Sequence, residues 1–196
     1  MPIRVFDEEE KNIIRKKMLD EGMELIKKYG LTHTSVVKIT NAAGIGKSTF
    51  YNFFTSKEVF VVELIQYERR RMMDYFHQIL HGRERITVSE AKDFLQKIIF
   101  HQDSIYQYLT EQDMEMLYPV MEEQGLIQSD LQSGTPEFLF EHFEGINPKA
   151  DTKVFTNFLR IMALAVSQKD ALHADVLDEN LEMMFETMFA YIFINQ

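Results

Sequence analysis

Two lysines stand where a helix is expected to begin, a position in which the helix dipole disfavours a cation. Lys47 follows Gly46 at the start of a short segment with helical spacing of apolar residues, and Lys57 follows Ser56 at the start of a long one. A phosphate group at each helix N-terminus would reverse this cost, because free backbone N–H groups there bind anions. The two positions therefore predict phosphate contacts, with ordinary solvated lysines as the alternative.

Gly46-Lys47-Ser48 also matches the end of a nucleotide-binding phosphate loop. That loop needs a glycine five positions before Gly46, so that the backbone can wrap the phosphates, and the residue there is Asn41. The chain has few strand-like segments, and no later apolar run ends in an aspartate that could hold magnesium. No nucleophile paired with a base is visible elsewhere. We therefore predict neither a nucleotide hydrolase nor any other enzyme, and no cofactor.

His77 and His81 are four residues apart on a predicted helix, with Asp74 one turn earlier, and metal ligands use this spacing. No further ligand can be identified by motif, and the other histidines are scattered along the chain. The sequence therefore favours ordinary surface or core histidines, and we predict no metal site.

The elements around Lys47 have the pattern of a helix-turn-helix. Thr34 or Ser35 can cap a short helix, and Gly44 ends it because glycine readily adopts a left-handed conformation. A second short helix begins near Gly46, and such a second helix enters the major groove of DNA. The apolar residues at helical spacing in the two segments are Val36, Ile39, Ala43, Phe50, Phe53 and Phe54.

The run A-A-G-I-G-K-S-T-F-Y-N-F-F-T-S-K-E resembles the DNA-binding signature of TetR-type transcriptional regulators, and the resemblance extends over about residues 8–65. Two positions depart from the family pattern. Thr40 replaces the usual alanine, so its hydroxyl must bond back to the preceding turn or crowd the packing. Phe53 stands where many members carry a His or Tyr that binds a phosphate, which a phenyl ring cannot do. The resemblance implies buried side chains at Ile39, Ala43, Ile45, Phe50 and Phe53.

The resemblance also implies which residues contact DNA. Lys47 and Asn52 are the expected base readers, because an amine can donate to guanine and an amide can pair with adenine. Tyr51 could bind a phosphate or touch a thymine methyl group. The full set comprises the recognition-helix residues Lys47, Ser48, Thr49, Tyr51 and Asn52, and the backbone contacts Thr34, Ser35 and Lys57.

Composition agrees with a helical regulator that binds DNA at one end. The net charge is −10, yet residues 1–57 carry 10 Lys and Arg against 7 Asp and Glu, which places the nucleic-acid surface in this first third. Only 8 Gly and 4 Pro favour helix over sheet, and the absence of Cys excludes disulfides and thiolate metal sites. No apolar run is long enough to span a bilayer, so a cytoplasmic protein is expected.

We predict an all-α chain with a helix-turn-helix DNA-binding head at residues 1–56 and a helical body at residues 57–196. A capping box formed by Thr55 and Glu58 should open a long helix that Gly82 ends, and Pro119 should break the helical stretch that follows. Two final helices, at about residues 151–168 and 175–194, have apolar stripes too wide for one packing partner, which predicts a homodimer.

The resemblance implies that the body binds a small molecule and that the chain is a repressor. We therefore expect a homodimer that binds a palindromic operator in double-stranded DNA and is released by a small-molecule effector, whose identity the sequence does not give. The alternative is a ligand-binding or interaction module that has lost DNA binding, which Phe53 makes conceivable.

Overall fold

The structure, a computed structural model, describes residues 7–100, 105–126 and 135–194. These residues form helices without a strand, so the predicted all-α fold is confirmed. In chain order the α-helices are α1 (Glu8–Tyr29), α2 (Val36–Ala43), α3 (Lys47–Phe53), α4 (Lys57–Leu80), α5 (Val88–Phe100), α6 (Glu111–Glu123), α7 (Thr135–His142), α8 (Thr152–Ser167) and α9 (Leu177–Ile192). None of the described helices is both long and apolar enough to cross a membrane.

Two hydrophobic clusters hold the helices together, and the long helix α4 contributes to both. The first cluster joins α1, α2, α3 and the N-terminal half of α4 to residues 105–126, so α6 of the body packs into the core of the head. The second joins the C-terminal half of α4 to α5, α7, α8 and α9. The predicted domain boundary between residues 56 and 57 stays a prediction, and both clusters draw on residues on its body side.

Helix ends differ from the predictions in three places. Ser56, not Thr55, caps α4 by accepting a hydrogen bond from the backbone N–H of Val59, and no capping box forms there. The helix ends at His81, which adopts the left-handed conformation (φ 46°) one residue before Gly82. Pro119 lies inside α6, where it does not break the helix.

The last two helices lie close to where the apolar pattern placed them. Helix α8 starts after an Asp151 cap, whose side chain accepts from the backbone N–H of Lys153, and it packs along α9. Phe155 and Met162 of α8 and Phe185 of α9 are buried in the second cluster.

Candidate nucleic-acid interface

The turn between α2 and α3 has the geometry that the sequence predicts for a helix-turn-helix. Ser35 caps α2, since its hydroxyl accepts a hydrogen bond of 3.3 Å from the backbone N–H of Lys38. Gly44 ends the helix in the left-handed conformation, with φ 69° and ψ 34°. The backbone N–H of Ile45 then donates to the carbonyl of Thr40 at 2.9 Å, which closes the turn ahead of α3.

Thr40 fits between the two helices because its hydroxyl bonds back to the preceding turn. The side chain is buried, with 2% of its surface exposed, and the hydroxyl donates to the carbonyl of Val37 at 3.1 Å. The hydroxyl is therefore satisfied within α2, and the departure from alanine costs no unpaired polar group.

The recognition helix α3 is anchored by a cluster of phenylalanine rings. Phe50 and Phe54 are fully buried and lie 5.2 Å apart between ring centroids, and the ring of Phe60 from α4 packs against both, at 5.5 and 5.0 Å. The prediction that Phe53 is a buried core residue holds only in part, because its ring packs against the cluster but stays half-buried. Helix α3 ends at Phe53, and the extended backbone at the next residue turns the Phe54 ring into the core instead.

Phe53 and Ile45 are only half-buried at the edge of this cluster. The guanidinium of Arg15, from α1, lies 5.8 Å from the Phe53 ring centroid and 5.3 Å from that of Phe54. Arg15 also forms an ion pair with Glu63 of α4. Helix α1 therefore braces α3 from behind and leaves the opposite face of α3 to solvent.

The open face of α3 carries the polar side chains that the resemblance assigned to DNA. Lys47, Ser48, Tyr51 and Asn52 are exposed, and Thr49 is half-buried. The Lys47 ammonium lies 6.0 Å from the centroid of the Tyr51 ring, whose side chain is 46% exposed. Amine, hydroxyl and amide groups are thus brought together on one short helix, where they can donate to and accept from base edges and phosphates.

Thr34 lies inside the head and does not belong to this face. It is fully buried, and its hydroxyl donates to the carbonyl of Gly30 at 2.8 Å. Its backbone N–H donates to the carbonyl of Leu31 at 3.1 Å. Both donors are therefore used within the connection between α1 and α2, and the predicted phosphate contact through Thr34 stays a prediction.

Lys57 is half-buried at the start of α4, and its ammonium donates to the carbonyl of Leu31 at 2.6 Å. Burial lowers the pKa of Lys57, and the nearby carboxylates of Asp113 and Glu58 oppose this shift. In this structure the lysine ties α4 to the connection that precedes α2. Its predicted contact with phosphate stays a prediction.

Sequence reasoning missed one residue that positions the recognition helix. Gly22 is buried in the middle of α1, and a Cβ atom there would collide with the ring of Phe60. The glycine lets α1 approach the phenylalanine cluster that anchors α3. A glycine inside a helical pattern is itself a signal for such close packing, but the partner on α4 cannot be seen from local spacing.

Comparison with protein families gives a sequence match over the head. The family described as "Bacterial regulatory proteins, tetR family" matches residues 18–64, which span the helix-turn-helix and the start of α4. A search of the curated proteins gives no match.

Solved structures of TetR-family regulators share the fold. The regulator from Marinobacter aquaeolei VT8 is 14% identical, covering 96% of this chain and 100% of that chain, with a TM-score of 0.51. NalD, described as the secondary repressor of the MexAB-OprM multidrug efflux pump in Pseudomonas aeruginosa, is 16% identical, with 94% and 99% covered and a TM-score of 0.51. The fatty acid degradation regulator FadR from Bacillus halodurans is 19% identical, with 90% and 95% covered and a TM-score of 0.51.

The helix-turn-helix, the family match over it and the shared all-α fold define a DNA-binding transcriptional regulator. Residues 18–64 match the TetR family, as the run from Ala42 to Glu58 predicts, and the chain as a whole shares the fold of TetR-family regulators.

Proposed function

We propose that this chain is a repressor that binds a palindromic operator as a homodimer and is released by a small-molecule effector. The observation that supports the proposal is that the two sides of α3 have different roles. One side is fixed by buried phenylalanine rings, and the other presents Lys47, Ser48, Tyr51 and Asn52 to solvent. A rigidly anchored helix with exposed donors and acceptors is what reading base edges in a major groove requires.

The proposed contact set follows from the exposed positions of the head. Lys47 and Asn52 read bases, and Ser48, Thr49 and Tyr51 contact the backbone or a thymine methyl group. Ser35 contacts a phosphate from the start of α2, while Thr34 is left out because it is buried. Lys57 contributes a phosphate contact only if its ammonium leaves the carbonyl of Leu31.

The proposed dimer rests on the apolar residues that α8 and α9 leave uncovered. Val154, Ile161 and Leu164 of α8 lie on one helical face and are 37%, 52% and 59% exposed. Val176, just before α9, is 41% exposed, and Met183, seven residues later, is 65% exposed. Pairing these faces across a two-fold axis would form a four-helix interface and remove them from water.

Release by an effector uses α4, whose two halves belong to different hydrophobic clusters. Its 24 residues span about 36 Å, so a small tilt set in the body becomes a displacement of several ångströms at the head. Two heads that read successive major grooves must keep a separation of about 34–36 Å or a multiple of it. An effector that favours a different tilt therefore weakens operator binding, typically by about 1–3 kcal/mol.

Selection of duplexes from a random pool with the full chain tests the operator and the symmetry together. The proposal expects an inverted repeat with a fixed half-site spacing, and sedimentation at micromolar concentration at about twice 23.2 kDa. A selected sequence without two-fold symmetry, or a monomer that binds it, would overturn the homodimer. A pool without enrichment would overturn sequence-specific DNA binding.

Release is tested with the selected duplex and a panel of small apolar and aromatic compounds. By linkage, a compound that weakens DNA binding must itself bind more weakly when DNA is present, by the same factor. A bound compound with the same affinity in the presence and absence of the duplex is not an inducer.

A further inference from the structure

The connection between α1 and α2 carries a group of cations that the recognition motif does not include. Lys28 and Tyr29 end α1, His33 lies in the connection, and Lys38 is in the first turn of α2. All four are exposed, and the Tyr29 ring is 42% exposed. We call Lys28, Tyr29 and Lys38 the α1–α2 cationic patch.

The two ammonium groups are held beside one aromatic ring. The ammonium of Lys28 lies 5.2 Å from the centroid of the Tyr29 ring, and that of Lys38 lies 4.6 Å from it. Lys38 also donates to the carbonyl of His33 at 2.8 Å, which turns its side chain back toward the N-terminal end of α2. The two charges are therefore partly ordered before any ligand arrives, which reduces the entropy lost on binding.

Neither lysine forms an ion pair with a carboxylate among the described residues, although the chain has 31 acidic residues and a net charge of −10. The preceding residue shows the contrast, since Lys27 bonds the carboxylate of Glu24 at 3.0 Å. Both positive charges therefore lack a carboxylate partner within the described part of the chain, and an anionic ligand would supply the opposite charge.

We propose that the α1–α2 cationic patch binds the phosphate backbone of the operator, outside the groove that α3 reads. Two features favour DNA phosphates as the ligand, namely the positive charge of the patch and its position beside the helix-turn-helix. The patch joins the end of α1 to the first turn of α2, the helix that precedes the recognition helix. Duplex DNA presents a dense row of phosphates on either side of a major groove. This inference rests on the proposed DNA binding of the head and extends its contact surface by Lys28 and Lys38.

The test uses the full chain and two duplexes, one selected from a random pool and one of the same length with a scrambled sequence. Replacing both Lys28 and Lys38 by Gln removes two phosphate contacts, which costs roughly fivefold per lysine at physiological salt. The slope of log affinity against log salt should become shallower by about 0.9 for each contact. Because phosphates carry no sequence information, both duplexes should lose affinity by a similar factor.

The matched control replaces Lys149 and Lys169, two exposed lysines of the body, by Gln. This control has the same net charge as the test variant and should keep both affinity and salt slope. Replacing Lys28 and Lys38 by Arg should restore binding, since the charge returns. Circular dichroism and the urea midpoint establish that each variant is folded.

The outcomes separate this inference from the function on which it rests. A wild-type chain that does not prefer the selected duplex contradicts the proposed function. A wild-type chain that does prefer it, with an unchanged salt slope in the folded Gln variant, overturns the patch alone. Loss confined to the selected duplex would also overturn it, because that result indicates base contacts rather than phosphate contacts.

Discussion

The hydroxyl of Thr32, in the connection between α1 and α2, donates a hydrogen bond of 3.4 Å to the carboxylate of Asp113, in the first turn of α6. The Asp113 side chain is buried, with 4% of its surface exposed, and also accepts from the hydroxyl and backbone N–H of Thr110. The carboxylate of Asp113 also interacts electrostatically with the ammonium of Lys57. A helix of the body thus meets the head directly before the helix-turn-helix.

Replacing Asp113 by Ala should destabilise the chain by about 1–3 kcal/mol, because buried hydrogen-bond donors lose their acceptor. Urea unfolding measures the change. Glu115→Gln, at an exposed position of the same helix, is the control and should stay within about 0.5 kcal/mol of the wild type. Equal stability of the Asp113 variant and this control would show that the contact does not join α6 to the head.

Gly22→Ala tests the close approach of α1 to the anchor of the recognition helix. The added methyl group overlaps the Phe60 ring, and overpacking of this kind costs about 1–3 kcal/mol. Thermal or urea unfolding should show the loss, whereas Asn12→Ala on the exposed face of α1 should not. A stabilised Gly22→Ala variant, as expected for an ordinary helix glycine, would mean that the packing at Phe60 is loose.

Glu90 should make the stability of the connection between α4 and α5 depend on pH in the acidic range. Its hydrogen bonds with the Arg83 guanidinium and the backbone N–H of Thr87 lower the pKa of Glu90 to about 2, from an ordinary value of 4.5. A lowered pKa contributes stability above pH 4.5 that is lost as the pH falls toward 2.

In Glu90→Gln this contribution is absent, so the urea midpoint should fall less between pH 4.5 and pH 2 than it does in the wild type. Glu84→Gln, at an exposed position nearby, is the control and should follow the wild type. If the urea midpoints of Glu90→Gln and the wild type fall equally between pH 4.5 and pH 2, ionised Glu90 does not contribute to stability.

Tyr67 of α4 should make the stability of the head depend on pH in the alkaline range. Its hydroxyl donates to the carboxylate of Asp20 in α1 at 2.9 Å, and burial together with this bond raises the pKa of Tyr67 to about 12, from 10.0. A raised pKa contributes stability that is full below pH 10 and is lost as the pH rises toward 12. Tyr67→Phe should therefore show a smaller loss of stability across this window than the wild type, and Tyr118→Phe, at an exposed position, should not. If Tyr67→Phe and the wild type lose the same stability at high pH, the hydrogen bond between Tyr67 and Asp20 does not stabilise the packing of α1 against α4.

The helix-turn-helix could be predicted from sequence because its determinants are local. Ser35, Gly44 and the spacing of Ile39 and Ala43 act within a few residues of one another, and the structure has the helix ends where they place them. The choice of Phe54 over Phe53 could not be predicted, since both are apolar neighbours. The buried ring of Phe54 packs against Phe60 of α4, a contact that local spacing does not show.

Other contacts of the structure could not be predicted from the spacing of residues. Thr32 and Asp113 are 81 residues apart, and no spacing rule links them. The resemblance implies that Thr34 contacts a phosphate, yet its side chain is buried and its hydroxyl donates to the carbonyl of Gly30. The order of the Tyr29 and Lys38 side chains depends likewise on how α2 folds back on the end of α1.

The central claim is that the exposed face of α3 reads a DNA sequence, and Lys47→Ala tests it most directly. Affinity is measured for the selected duplex and for a scrambled duplex of the same length, with Lys149→Ala in the body as the control. The loss of a base contact worth about 1–3 kcal/mol should weaken binding to the selected duplex by about tenfold or more, with a much smaller loss on the scrambled one. A folded Lys47→Ala variant that still prefers the selected duplex as strongly as the wild type does would contradict the claim.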